Sequence, residues 1–174
     1  MRNLATTKGK LTLFSLIYII VGFLHILIPV WGVVLEEPFN YAEFYWYWGF
    51  YFHASEGNFD TGTVPIEGWL TAGRTAMVIM IICFIILLIT LILARTLDIF
   101  KTEKNLGLFG VIWLIMGILL LIAPSIYVAE VSDYIFHDYV WGVGIYFSYI
   151  LAIVPLLLGI LILYMKMKGQ KIGT

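Results

Sequence analysis

Charged side chains are scarce in this sequence. Of its 174 residues, 12% are charged and 62% are hydrophobic, whereas soluble domains are nearer a quarter charged and half apolar. So few charges cannot cover a water-facing surface. The composition therefore excludes an ordinary soluble domain and indicates an integral membrane protein.

Cysteine is nearly absent as well. The chain has one cysteine, Cys83, so a disulfide within the chain is excluded. Cys83 lies in the middle of an apolar run, where a lone cysteine behaves as a small buried hydrophobe. Any folded loop of this chain must hold its shape without a covalent crosslink.

Sequence patterns of catalysis are also missing. The sequence has no nucleotide-binding glycine loop, no Gly-x-Ser-x-Gly, no Cys-x-x-Cys and no pair of acids inside an apolar run. We therefore expect a protein that is not an enzyme, with no catalytic residue, no cofactor, no bound metal and no nucleic-acid partner.

Long apolar runs are what the sequence has in abundance. Four of them lack Asp, Glu, Lys and Arg and reach the roughly 20 residues that a membrane-spanning helix needs. They predict one domain over residues 1–174, an all-α membrane bundle of four transmembrane helices, left-handed and up-down-up-down. The predicted helices are residues 11–35, 75–94, 105–129 and 139–165, and the predicted extracellular loops are residues 36–74 and 130–138.

The charges that remain are distributed asymmetrically. Nine of the ten basic residues lie at the N-terminus, between the second and third runs, or at the C-terminus. The positive-inside rule places these segments in the cytoplasm. Nine of the eleven acidic residues lie on the other side. We expect a multi-pass protein of the plasma membrane with both termini cytoplasmic and an acidic outer face.

The first outer loop contains an aromatic run. Nine of the fourteen residues at 41–54 are aromatic, and such residues favour strands. The segments Glu56-Gly57-Asn58 and Asp60-Thr61-Gly62 indicate turns, and Val64-Pro65-Ile66 is compatible with an edge strand. We expect a small extracellular antiparallel β-sheet built from the first and second outer loops.

These rings have two candidate roles beyond an aromatic belt at the membrane surface. Packed pairs would stabilise a loop that has no disulfide, and we predict that Trp46, Trp48, Phe50 and Tyr51 include its packing core. Aromatic side chains also anchor protein interfaces. The candidate interface residues are Trp46, Tyr47, Trp48 and Phe52.

Histidines are the remaining candidates for chemistry. His25 lies in the first apolar run, where an ionisable residue is a functional candidate; the simplest expectation is a hydrogen bond to a neighbouring helix. His53 and His137 lie outside, near Glu56, Asp133 and Asp138 in the sequence. Their spacing does not match a metal site.

Three segments resemble the claudin superfamily, which includes peripheral myelin protein and auxiliary γ subunits of channels. They are Pro29-Val30-Trp31, Gly49-Phe50-Tyr51 and Leu70-Thr71-Ala72-Gly73-Arg74-Thr75-Ala76-Met77. The order of loops, long outside, short inside and short outside, is similar too. The chain departs from that family in lacking the two loop cysteines and in having Tyr51 in place of tryptophan.

The resemblance implies a structural cluster where the sheet meets the helices. Its members would be Trp31, Gly49, Phe50, Tyr51 and Arg74. Arg74 would act as a clamp, and its charge at a helix N-terminus would need compensation from loop carbonyls, Glu67 or aromatic rings.

These observations predict a non-catalytic, claudin-like membrane protein. It would contact membrane lipid and other membrane proteins or copies of itself, in adhesion, self-assembly or as an accessory subunit. One alternative is a small subunit of a redox or transport enzyme, with His25 contacting a quinone, haem or lipid. Another is an oligomeric pore that draws cation selectivity from the acidic outer face.

Overall fold

Four helices and a small antiparallel sheet make up the structure, a computed structural model that describes residues 7–35, 41–55, 57–96, 103–132 and 140–168. The chain divides into two compact units. The helical unit consists of Met1–Phe23, Ile81–Leu120 and Leu151–Thr174, and the sheet unit consists of Leu24–Met80 and Leu121–Ile150. In chain order the elements are α1 (Thr7–His25), β1 (Trp31–Leu35), β2 (Tyr41–Tyr45), β3 (Phe50–Ser55), β4 (Asn58–Thr63), α2 (Glu67–Thr96), α3 (Glu103–Ser132), β5 (Val140–Trp141) and α4 (Val143–Met167).

Helix α1 ends ten residues before the end of the first predicted span. Its last turn is closed by the bonds Leu27 N–H to Leu24 C=O and Ile28 N–H to His25 C=O. Pro29 follows, and it lacks an N–H and disfavours helix at the residue before it. Residues 31–35 then form β1, so the prediction of one helix over residues 11–35 is wrong beyond His25. An apolar run does not by itself distinguish a helix from a buried strand.

Three helices are long and apolar enough to cross a membrane. They are Glu67–Ala94, Gly107–Ser132 and Val143–Met167, whereas the apolar stretch Thr12–His25 is shorter. The structure thus has the four predicted helices, and three of them have the length and composition of a membrane span.

The start of α2, the end of α3 and the start of α4 also differ from the prediction. α2 begins at Glu67, so residues 67–74, predicted as loop, are helical, and α3 continues to Ser132. α4 begins at Val143 rather than at residue 139, because Val140–Trp141 pair with β1.

The helical unit has an aromatic and aliphatic core. Tyr18 and Phe84 are buried and meet edge to face, with ring centroids 6.0 Å apart. The Tyr18 hydroxyl donates to the Leu151 carbonyl at 2.8 Å, so this polar group inside an apolar unit has an acceptor. Trp113 stacks on Phe109 with ring centroids 5.5 Å apart. Cys83 is buried, as expected.

The sheet confirms the predicted antiparallel arrangement. Strands β1–β4 form a meander in the order β4-β3-β2-β1, and the two-residue strand β5 pairs with the other side of β1. The register sets Trp31 opposite Tyr45, and Tyr45 opposite Tyr51. The predicted edge strand at Val64-Pro65-Ile66 is instead the link from β4 to α2, and Asp60-Thr61-Gly62 lies within β4.

A tight turn at residues 46–49 joins β2 to β3. Gly49 N–H bonds to the Trp46 carbonyl, and Trp46 N–H bonds to the Phe50 carbonyl, both at 3.0 Å. Gly49 has φ of 85°, a left-handed conformation that costs little only in glycine. A Cβ at Gly49 would also collide with the Leu70 side chain of α2. The turn therefore requires glycine for its backbone conformation, and a larger residue would also have to displace the end of the Leu70 side chain.

Gly57 offers a matched comparison, because its φ is 83° and, among the residues that the structure describes, no atom beyond its chain neighbours lies within 4 Å of its Cβ position. Gly57→Ala should cost about 1–2 kcal/mol of unfolding free energy for backbone strain alone. Gly49→Ala should cost that amount plus the collision, and should lower the unfolding temperature in detergent micelles further. A smaller loss for Gly49→Ala than for Gly57→Ala would contradict the left-handed turn at residue 49.

Candidate functional site

The turn at residues 46–49 inserts Tyr47 into the helices of the sheet unit. The Tyr47 side chain has 0% exposed surface, and its ring packs edge to face on Tyr127 of α3 at 5.3 Å. Its hydroxyl lies 3.0 Å from Ser148 Oγ of α4. On α2, a Cβ at Gly73 would lie 2.6 Å from the Tyr47 carbonyl oxygen, so the turn backbone reaches α2 only because residue 73 is glycine. Tyr47 thus contacts three helices at once.

The direction of each hydrogen bond around Ser148 follows from counting protons. Ser148 Oγ donates its single proton to the Gly144 carbonyl at 2.7 Å, so it accepts from its other neighbours. Tyr47 O–H is one donor, and His25 Nε2–H, at 3.1 Å, is the other. The arrangement therefore selects the His25 form that carries a proton on Nε2.

This cluster, here called the tyrosine plug (His25, Tyr47, Ser148), is closed to water. His25 and Ser148 are each 2% exposed. Burial raises the pKa of Tyr47 well above its ordinary value, an effect that the hydrogen bond with Ser148 partly offsets. The hydroxyl therefore stays protonated and acts as a hydrogen-bond donor. The predicted hydrogen bond from His25 to a neighbouring helix is confirmed, at the last residue of α1.

A second buried cluster holds the sheet against α2 and α3. Trp31 stacks on Tyr45 with ring centroids 4.1 Å apart and planes 4° apart. Trp69 of α2 meets Trp31 edge to face at 5.0 Å. The Trp31 indole N–H donates to the Tyr127 hydroxyl at 2.8 Å. This face of the sheet, which contacts the helices, is called the helix-side face.

Two carboxylates on the helix-side face are paired by tyrosines. The buried Glu43 carboxylate accepts hydrogen bonds from the hydroxyls of Tyr41, at 2.7 Å, and Tyr45. A carboxylate with charge-assisted bonds of this kind is much less costly to bury than one without them. Further along the sheet, Tyr51 donates to Asp60 at 2.6 Å, and this bond raises the pKa of Tyr51.

The opposite face of the sheet, here called the aromatic face, carries mostly apolar side chains and no charged one; its polar members are Thr61 and Thr63. Side chains alternate along a strand, so the register groups this face into three rows. The turn cluster is Trp46, Trp48 and Phe50; the middle row is Gly32, Phe44, Phe52 and Thr61; the distal row is Val34, Ala42, Ala54 and Phe59.

Ring contacts connect these rows. Trp48 stacks on Phe50 at 5.0 Å, and Phe52 lies 6.4 Å from Phe44 and 6.2 Å from Phe59. Three of the side chains remain well exposed: Trp48 at 41%, Val34 at 60% and Phe59 at 75%. No member of the three rows carries a charge, so the exposed surface of this face is apolar in the turn cluster and at both ends of the distal row.

The cluster implied by the claudin resemblance is only partly brought together. A Cβ at Gly49 would lie 3.7 Å from Arg74 Nε, so these two residues are neighbours. Phe50 and Tyr51 point to opposite faces, and Tyr45 lies between Tyr51 and Trp31. α2 begins at Glu67, so Arg74 lies beyond the first turn and is exposed. The expected position of Arg74 at a helix N-terminus is wrong, and the helix dipole acts weakly there.

One residue predicted for the interface is buried, and several residues predicted for the packing core are partly exposed. Tyr47 is fully buried and so leaves the predicted interface set, while Trp46, Trp48 and Phe52 lie on the aromatic face. Trp46, Trp48 and Phe50 form a partly exposed cluster rather than the buried core. The buried rings of the sheet are Trp31, Tyr45 and Tyr47. Glu56, Asp133, His137 and Asp138 lie outside the described residues.

Several residues of the site escaped the sequence analysis. Tyr127 and Ser148 are isolated polar side chains inside apolar helices, and a buried polar group requires a partner. The need of each hydroxyl for a hydrogen-bond partner could have identified both residues from the sequence. The role of Glu43 depends on the register of the sheet, which the sequence did not specify.

The shared hydrogen bond predicts coupling between Tyr47 and Ser148. Tyr47→Phe should lower the unfolding free energy by about 0.5–1.5 kcal/mol, the usual value of one hydrogen bond. Combined with Ser148→Ala, it should cost less than the sum of the two single changes, because both remove the same bond. Thermal unfolding in detergent micelles measures each loss.

Tyr51→Phe is the matched control, since Tyr51 donates to Asp60 and shares no partner with Ser148. Its loss should add to that of Ser148→Ala. Additive losses for Tyr47→Phe with Ser148→Ala would contradict the hydrogen bond.

The resemblance to the claudin superfamily rests on the quoted sequence segments. No family model matches the chain, and no curated protein matches it. Membership of that superfamily stays a prediction from those segments.

Proposed function

We propose that this chain is a non-catalytic, claudin-like integral membrane protein that makes protein–protein contacts through the aromatic face of its sheet. Its partner is another membrane protein or a second copy of the chain. The observation that carries the proposal is the distal row, where Phe59 and Val34 expose apolar surface on a folded sheet. Contiguous exposed apolar surface on a folded protein typically marks an interaction site.

The membrane setting rests on the helices and on the distribution of charge. Three helices have the length and composition of spans, and α1 would be a fourth, shorter one. The positive-inside rule then favours cytoplasmic termini and an outward-facing sheet, as in a multi-pass plasma-membrane protein. With this orientation the distal row would face the space where a partner's outer domain lies.

A recognition role fits the way the sheet is held. The tyrosine plug and the Trp31 cluster fix the helix-side face by hydrogen bonds and ring contacts. A face held in one conformation loses little conformational freedom on binding, which favours affinity. Aromatic anchors surrounded by acidic loops would select a partner by shape and by charge.

Neither alternative function is favoured by a specific contact. His25 gives its Nε2 proton to Ser148, so a cofactor bond at that atom would have to break the tyrosine plug. Glu67 and Glu130 line a shallow groove between α2 and α3. That groove lies on the surface of one chain, and a pore would need further copies to enclose it.

A photo-crosslinking amino acid at position 59 tests the proposed contact. In native-like nanodiscs prepared from cells, we expect crosslinks from position 59 to another protein or to a second copy. Position 58 is the matched control, because Asn58 is exposed on the same strand and faces the other way. Mass spectrometry identifies the products.

With the crosslinking residue moved to position 34, an exposed member of the same row, Phe59→Ser should abolish the protein adduct while changing the unfolding free energy by less than about 0.5 kcal/mol, as is usual for exposed positions. Crosslinks to lipid alone at position 59, or equal protein adducts at positions 58 and 59, would contradict a protein contact at the distal row.

A further inference from the structure

The turn cluster is continuous with the exposed surface at the end of α1. The Trp46 indole N–H donates to the Leu27 carbonyl at 2.8 Å. Leu27 is 66% exposed, and Leu24, one turn before it, is 57% exposed. The rings of Trp46, Trp48 and Phe50 pack on one another next to these leucines. The hydrogen bond from Trp46 to Leu27 therefore places the turn cluster beside the exposed leucines at the end of the helix.

Helix α1 is too short to cross a bilayer by itself. Its charge-free part, residues 11–25, spans about 22 Å at roughly 1.5 Å per residue. The hydrocarbon core of a bilayer is about 30 Å thick. If α1 crosses the membrane, something other than helix must contact the lipid at the missing depth.

Residues 26–30, which follow α1, have the properties needed to lie in the part of the hydrocarbon core that α1 does not span. Residues 26–30 are apolar, and outside a regular helix their carbonyls need partners wherever water is excluded. Pro29 C=O accepts from Gly144 N–H, and Val30 C=O accepts from Gly142 N–H. Leu27 C=O accepts from the Trp46 indole. These three carbonyls are thus satisfied by the protein.

We propose that the turn cluster is a lipid-binding anchor, in which Trp46, Trp48 and Phe50 enter the outer leaflet and extend the lipid-facing surface that Leu24 and Leu27 present at the end of α1. The occupant is the boundary between headgroups and acyl chains of the bilayer. Indole rings favour this boundary because they combine an apolar body with an N–H donor. The inference rests on the proposed membrane setting and does not depend on a protein partner.

The anchor also assigns different depths to the rows of the aromatic face. Two residues along a strand advance about 6.6 Å, so the distal row lies roughly 13 Å along the strands from the turn cluster. Lipid would then occupy the turn cluster, and the distal row would remain accessible to a protein. The sheet is held at the membrane by one end of the face that it presents for recognition.

Site-directed spin labelling tests the anchor. The single native cysteine is first replaced, Cys83→Ala, and one cysteine is then introduced as Trp48→Cys, Asn58→Cys or Ile85→Cys. Each labelled full-length chain is reconstituted at low density in phosphatidylcholine vesicles. Collision rates with oxygen, which partitions into lipid, and with a water-soluble nickel complex report the surroundings of the label.

We expect the oxygen-to-nickel ratio at position 48 to exceed that at position 58 severalfold. Position 85, on an exposed face of α2, is the reference for a lipid-facing site in a long helix. A water-exposed label at position 48 with a lipid-exposed label at position 85 overturns the anchor alone. A water-exposed label at position 85 overturns the membrane setting itself. A label at position 48 that is shielded from both reagents indicates a protein contact and also overturns the anchor.

Tryptophan fluorescence gives a second test of lipid contact, on a chain that keeps its native aromatic residues. Lipids brominated near the headgroup end of the acyl chain should quench the wild type, and the quenched signal should fall in Trp48→Phe, which keeps an aromatic ring. Equal quenching of the two proteins would contradict lipid contact at residue 48.

Discussion

The hydroxyl of Tyr47 needs a hydrogen-bond partner inside an apolar environment, and the sheet unit is arranged around meeting that need. Ser148 accepts from Tyr47 and from His25 while donating to its own helix. Placing Tyr47 there requires glycine at position 49, where the turn has positive φ, and at position 73, where its backbone meets α2. Once the turn is inserted, β2 and β3 leave it in fixed positions, and their register determines which side chains face the helices.

The same constraint explains how the sheet unit can stay folded with one cysteine in the chain. A disulfide would contribute about 2–4 kcal/mol. A fully buried side chain similar to Phe contributes about 1.5–3 kcal/mol, and favourable ring pairs add about 0.5–1.5 kcal/mol each. Tyr47 is fully buried, and Trp31 is stacked on Tyr45. Buried rings and hydroxyls of this kind are comparable with one crosslink, and they leave the aromatic face free for contacts with lipid and protein.

Composition was sufficient to predict the apolar helices and the antiparallel sheet, because the length of apolar runs and the strand propensity of aromatic residues are local properties. The end of α1 was mispredicted because residues 31–35 are as apolar as a membrane helix, although Pro29 marked the boundary. Which rings are buried was predicted only in part: Trp48, assigned both to the core and to the interface, is exposed, whereas Tyr47, assigned to the interface, is buried. Neighbouring residues in a turn point in different directions, so this choice depends on the register and on Ser148, about one hundred residues away in the chain.

Hydrogen–deuterium exchange of the wild type and Tyr47→Ala in nanodiscs tests most directly whether the tyrosine plug holds the sheet. The account predicts faster exchange throughout β2 and β3 in the variant, because the turn that positions both strands loses its attachment. Residues 107–120 of the helical unit should keep their protection. Unchanged exchange in β2 and β3 would contradict the account, since the sheet would then be held without Tyr47.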